Sequence, residues 1–189
     1  MQLHELRTVI RQIISEEFRL NPRLRVFDFD DTLVTSNSRT KVIHSDGSAQ
    51  YLTPGEYALY DKRPGDKFDY NEFDKVIDPH VIMWTSQILR NVYAKYGPSG
   101  AVILTARGRA AKDSLEEFLA SIGYPNIDVI ALGNSDPSAK ADWIAQAIDD
   151  EGLKLVEFFD DSHKNVAAVA ALQRRFPDVK IIVRHVIHT

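Results

Sequence analysis

The chain has 189 residues, 44% of them hydrophobic and 26% charged, which is enough for one domain with a sizeable core and too few for two full ones. Its formal charge of -4 gives no global field for polyanions, so nucleic acid or an anionic membrane would need a local basic patch. The lack of cysteine excludes disulfides, thiol catalysis and cysteine-ligated zinc or iron–sulfur centres.

The opening segment, MQLHELRTVIRQIISEEF, carries Leu3, Leu6, Val9, Ile10, Ile13, Ile14 and Phe18 at spacings of three and four, which predicts an amphipathic helix over 1–20. Its apolar stripe covers either its own domain or another surface, through self-association or a partner. The segment lacks the apolar core of a signal peptide. No run of the chain approaches the ~18 apolar residues of a membrane helix, so a cytoplasmic protein without a membrane partner is expected. Asn21-Pro22-Arg23 breaks the helix, and 21–189 is expected to form the core domain, with a small insert at about 33–78.

RLRVF reads as the first strand. Ser45-Asp46-Gly47-Ser48 is a turn between two strand-like runs and predicts a hairpin over Lys41 to Leu52. A short helix at Pro54 to Tyr60, an exposed loop at Asp61 to Tyr70 and a longer helix from Pro79 to Tyr96 follow. The rhythm then becomes regular. AVILT, IDVIAL, LKLVEFF and VKIIVRHV read as strands, separated by the helical segments GRAAKDSLEEFLASIG, DPSAKADWIAQAIDD and DSHKNVAAVAALQRRF, the second with Asp136 as N-cap and Pro137 at its first position. Strands joined by single helices imply right-handed crossovers and a mainly parallel five-stranded sheet covered on both faces, a Rossmann-like three-layer α/β/α sandwich with a small hairpin and loop insert after the first strand.

Ligands of such sheets collect at the carboxyl ends of the strands. There the sequence places Asp28 and Asp30, then Thr105, then Asp160 and Asp161. Four carboxylates in one low-dielectric crevice repel one another unless a cation compensates them. All-oxygen ligands without cysteine or a clustered histidine pair favour a hard ion such as Mg²⁺. Lys140 falls in the first turn of a helix, where the macrodipole disfavours a cation by about 0.3 to 1 kcal/mol, and a nearby phosphate with the carboxylate cluster would offset that.

VFDFDDTL, VILTAR, Lys140 in SAKADWI, and FFDDS together resemble, in order and spacing, the four motifs of the haloacid dehalogenase (HAD) superfamily. The resemblance covers the chain from about Leu24 to the C-terminus, without the N-terminal helix and the insert. It implies a Mg²⁺-dependent phosphatase. Asp28 would be the nucleophile that forms an aspartyl-phosphate, and Asp30 the general acid and then base. Thr105 and Lys140 would hold the phosphoryl oxygens. Asp160 would coordinate Mg²⁺ with the Asp28 carboxylate and the Asp30 carbonyl, and Asp161 would bind it directly or through water. Asp31 would be a turn residue and Thr32 an internal hydrogen-bond partner. LTARGR and DDSHKNVAAV resemble, more faintly, the phosphatase halves of polynucleotide kinase-phosphatases.

Other readings of the same residues stay open. Asp161 and Ser162 precede a helix and can cap it. Arg107 and Arg109 either meet a second substrate anion in the cleft or lie at the surface near a helix N-terminus. His163 reads as a surface residue at a helix start, and His185 and His188 lie far from the motifs in sequence. The modest insert suggests a small or absent cap and an open cleft, compatible with a nucleotide, a nucleic-acid end or another phosphorylated substrate. Tyr51, Tyr57 and Tyr60, with Lys62 and Arg63, can stack a base and meet a phosphate, or pack under the hairpin. A binding or regulatory protein that keeps the core and the metal site but has little turnover is the alternative function.

Overall fold

A computed structural model describes residues 22–187, so the expected N-terminal helix lies outside the described residues. Five strands form one all-parallel sheet: β1 (Arg23–Phe27), β7 (Val102–Thr105), β8 (Asp128–Ala131), β9 (Leu155–Asp160) and β10 (Lys180–His185), in the order β10-β9-β1-β7-β8. Helices α2 (Met83–Tyr96), α3 (Lys112–Ser121), α4 (Pro137–Glu151) and α5 (His163–Ala171) make the connections between them. The expected three-layer sandwich is therefore the observed one.

Strand periodicity builds the layers. Consecutive residues point to opposite faces of a strand, so Val26 and Phe27 enter different cores, as do Ile103 and Leu104, and Phe158 and Phe159. One core gathers Phe27, Ile103 and Phe159 under Leu89 of α2 and Leu115 and Leu119 of α3. The other gathers Val26, Leu104 and Phe158 under Ile144 and Ile148 of α4 and Val169 of α5. Phe27 and Phe159 stack across the strand pair at 4.4 Å.

α4 follows its sequence signals. The Asp136 carboxylate accepts from the Ser138 N–H at 2.8 Å, Pro137 opens the first turn, and Gly152 closes the helix at φ 61, where a side chain would be strained. The chain enters β1, continues to β7 and β8 on one side, and returns through α4 to β9 on the other. β1 is thus the switch point of the sheet, and the crevice beyond its carboxyl end is where this topology places a ligand.

The insert is more ordered than its sequence suggests. A two-stranded neck pairs β2 (Val34–Thr35) with β6 (His80–Val81). Above it, β3 (Thr40–Ile43), β4 (Ala49–Leu52) and β5 (Lys67–Asp69) form an antiparallel sheet in the order β4-β3-β5, with the short helix α1 (Pro54–Leu59) after β4. The expected hairpin and short helix are present. The expected loop at Asp61 to Tyr70 instead ends in β5, because Phe68 and Tyr70 pack edgewise on Tyr57 and draw the segment back to β3. The helix expected from Pro79 starts only at Met83, since His80 and Val81 pair with Thr35 and Val34 in the neck. No helix among the described residues is long and apolar enough to cross a membrane.

Candidate active site

The first site residues stand in a tight loop that closes β1. The Asp28 N–H continues the ladder to the Phe159 carbonyl at 2.9 Å. The N–H groups of Leu33 and Val34 both donate to the Phe29 carbonyl, and Asp31 N–H donates to Val34. Asp31 takes the left-handed position at φ 54, which a short polar side chain tolerates. Phe29 is buried in the core while Asp28 and Asp30 line the cleft. Thr105 at the end of β7, Lys140 in α4 and Asp161 after β9 line the same cleft. Its volume is ≈ 420 Å³.

Lys140 ties the cluster together. Its ammonium lies 2.7 Å from Asp28 Oδ1 and 2.7 Å from Asp160 Oδ2, and the lysine is almost wholly buried. Burial by itself lowers its pKa, but Asp28 and Asp160 outweigh that and raise it above the ordinary lysine value. Asp160, fully buried, is fixed further by the Ser162 N–H at 2.8 Å and by the Asn165 amide, which donates to both carboxylate oxygens at 3.0 and 3.1 Å. Thr32 accepts the Asp161 N–H at 3.0 Å and so joins the first loop to the last strand end. Ser162, not Asp161, caps α5, accepting from the Asn165 N–H.

The cluster strains against its own charge. Burial lifts the Asp28 carboxyl well above the usual carboxylate range; Lys140 pulls it back, and Asp160, Asp161 and Asp30 push it further up. Burial, reinforced by Asp160 and Asp31, raises Asp161 to about 6. Oxygens of Asp28, Asp160 and Asp161 all lie within 4.8 Å of one another, a hard, all-oxygen set against which Lys140 sets a single positive charge. These residues fit a divalent cation such as Mg²⁺, which would supply the missing charge. The Asp30 carboxylate stands outside that triad.

Arg107 departs from both roles expected of it. It is neither at the surface nor open to a substrate anion: the side chain is fully buried. Its guanidinium forks onto Asp30, Nε to Oδ2 at 2.8 Å and Nη2 to Oδ1 at 2.7 Å, and donates through Nη1 to the carbonyls of Phe73 and Lys75. The same residue's N–H donates to Thr105 Oγ1 at 3.1 Å. Arg107 therefore fixes the rotamer of Asp30, orients Thr105 and ties the insert to the core. Arg109, two residues on, is exposed and lines an adjoining cavity.

Sequence reasoning missed the supporting role of Arg107 and the part played by Asn165. An asparagine one helical turn after the Asp-Asp pair was the available signal for the latter. His163 is exposed as expected; the fold also brings His185 beside it, with ring centroids 5.0 Å apart and the His185 Nε2 2.8 Å from the Asp161 carbonyl. The insert is a wall of the cleft rather than a bystander: Pro54, Tyr57, Tyr60 and Lys62 line it, whereas Tyr51 and Arg63 do not.

No family model, curated protein or solved structure matches the chain.

Proposed function

We propose that this protein is a Mg²⁺-dependent phosphomonoester hydrolase of the haloacid dehalogenase type, acting through an aspartyl-phosphate at Asp28. The observation that carries the reading is the Lys140 ammonium bridging Asp28 and Asp160 at 2.7 Å each, at the switch point of a parallel sheet, in a cleft also lined by Asp30 and Thr105. Buried carboxylates set against each other cost stability, and a site that needs them there for chemistry is the economical account.

An Asp28 oxygen attacks phosphorus as the bond to the leaving oxygen breaks, and Asp30 gives that oxygen a proton. Water then attacks the phosphoryl group and passes a proton to Asp30; the bond to Asp28 breaks and inorganic phosphate leaves. Thr105 and Lys140 hold the phosphoryl oxygens and their charge through both steps. Arg107 holds the Asp30 carboxylate in its place along the cleft. Asp28, Asp160 and Asp161 would hold Mg²⁺, which would supply positive charge where the transferred group carries negative charge. Acid quenching during turnover, followed by peptide mapping, tests the covalent step: a phosphoryl mass increment on the peptide containing Asp28 is expected, and its location on another residue contradicts the assignment.

A further inference from the structure

The cleft does not end at the reaction centre. A second cavity of ≈ 310 Å³ adjoins it, and the two share walls at Tyr57, Lys62, Phe73 and Asn134. Their charge balance differs. The catalytic cleft sets six aspartates against three lysines, whereas the second cavity sets two exposed cations, Arg109 and the shared Lys62, against one carboxylate. That carboxylate is Asp74, whose pKa burial raises and the nearby Arg107 guanidinium draws partly back down. Its wall is aromatic. Tyr57 and Tyr70 stand edge to face at 5.9 Å with their hydroxyls 2.8 Å apart, and Phe73 lies 5.9 Å from Tyr57. The Lys62 ammonium rests 5.7 Å from the Tyr57 ring centroid.

The phosphoryl group that is transferred already has Lys140, Thr105 and the acidic triad's cation. Two further cations beyond an aromatic wall serve a different part of the substrate. A sugar monophosphate and a simple aryl phosphate each lack a second anion for these two cations. A planar ring and an additional anion on one leaving group describe a nucleotide. We propose that the second cavity is a leaving-group subsite for a nucleotide that carries a second phosphate, its base against Tyr57 and Tyr70 and that phosphate between Lys62 and Arg109. The phosphomonoester at Asp28 is cleaved and the second phosphate stays attached to the product. This rests on the phosphatase reading above. A free nucleoside bisphosphate and the terminal nucleotide of a polynucleotide strand offer the same chemistry.

The test measures kcat/KM of the full chain with Mg²⁺ on adenosine 3′,5′-bisphosphate, the matching monophosphates, a short oligonucleotide with a terminal phosphate, and p-nitrophenyl phosphate, for wild type and Arg109→Ala. Arg109 is exposed on a 3₁₀ turn, so the variant keeps the fold. The doubly phosphorylated substrates should exceed the monophosphates by about tenfold, and Arg109→Ala should lower their kcat/KM by about tenfold more than that of p-nitrophenyl phosphate. Greater preference for the bisphosphate identifies a free nucleotide, and greater preference for the oligonucleotide a strand end. Equal use of mono- and bisphosphates, or an equal effect of Arg109→Ala on every substrate, overturns the subsite while the phosphatase stands. If nothing is turned over, the phosphatase reading fails, and calorimetric titration with adenosine 3′,5′-bisphosphate decides the subsite by itself. Binding weakened about tenfold by Arg109→Ala upholds it, and absent or Arg109-independent binding overturns it.

Discussion

The strand-end cleft and the insert are both rich in carboxylates, and they hold them by opposite means. In the insert, Asp46, Glu56 and Asp66 answer to hydrogen-bond partners within the insert itself: Ser48, Thr53, and Tyr60, Arg63 and His44. Each is held below the usual carboxylate range by those hydrogen bonds, Asp66 to about 2 through Tyr60 first and His44 after it. In the cleft, Asp28 and Asp161 are pushed up by burial first and by neighbouring carboxylates after it, Asp160 acting on both. Groups of the first kind favour the fold when charged; groups of the second kind oppose it. The difference separates residues that build the molecule from residues the molecule tolerates for what they do.

Substitutions break or sharpen that contrast. Asp28→Asn should lower turnover about a thousandfold or more, since the amide is near-isosteric but a poor nucleophile, and its melting temperature in EDTA should equal or exceed that of wild type. Arg107→Ala leaves the Asp30 carboxylate in the cleft without its fork and empties a fully buried site; a loss of about 3–5 kcal/mol in urea unfolding is expected, which would mark this arginine as the cleft's structural exception. Asp161→Asn should act in the other direction. An acid whose pKa is raised to about 6 on folding costs stability that grows as pH rises from about 4 through about 6, so the variant should gain about 1–2 kcal/mol in EDTA at pH 7 and nothing near pH 4. Asp66→Asn gives the mirror image. A pKa lowered to about 2 contributes stability that is complete above about pH 4 and lost toward pH 2, so the variant's deficit in urea midpoint should shrink between about pH 4 and about pH 2.

Regular repetition made the core legible in the sequence. Asp136 and Pro137 mark the start of α4 by local chemistry, and the alternation of apolar strands with helices reveals a parallel sheet before any contact is seen. The same reading brought Asp28, Asp30, Thr105, Lys140, Asp160 and Asp161 toward one cleft because all but the lysine stand at strand ends. Partners set by the fold alone escaped it. Arg107 meets Asp30 across 77 residues of sequence, through a rotamer that neighbouring residues do not encode. The strand β5 escaped for a related reason: Lys67-Phe68-Asp69 is too short and polar to announce itself, and its pairing depends on an aromatic cluster assembled from α1 and the following loop.

The most direct test of the central claim is phosphate release from p-nitrophenyl phosphate by wild type and Asp28→Asn, each with Mg²⁺ and with EDTA. The account predicts turnover by wild type with Mg²⁺ and by no other combination. Wild-type rates from Asp28→Asn, or rates indifferent to EDTA, would contradict a metal-assisted attack by Asp28.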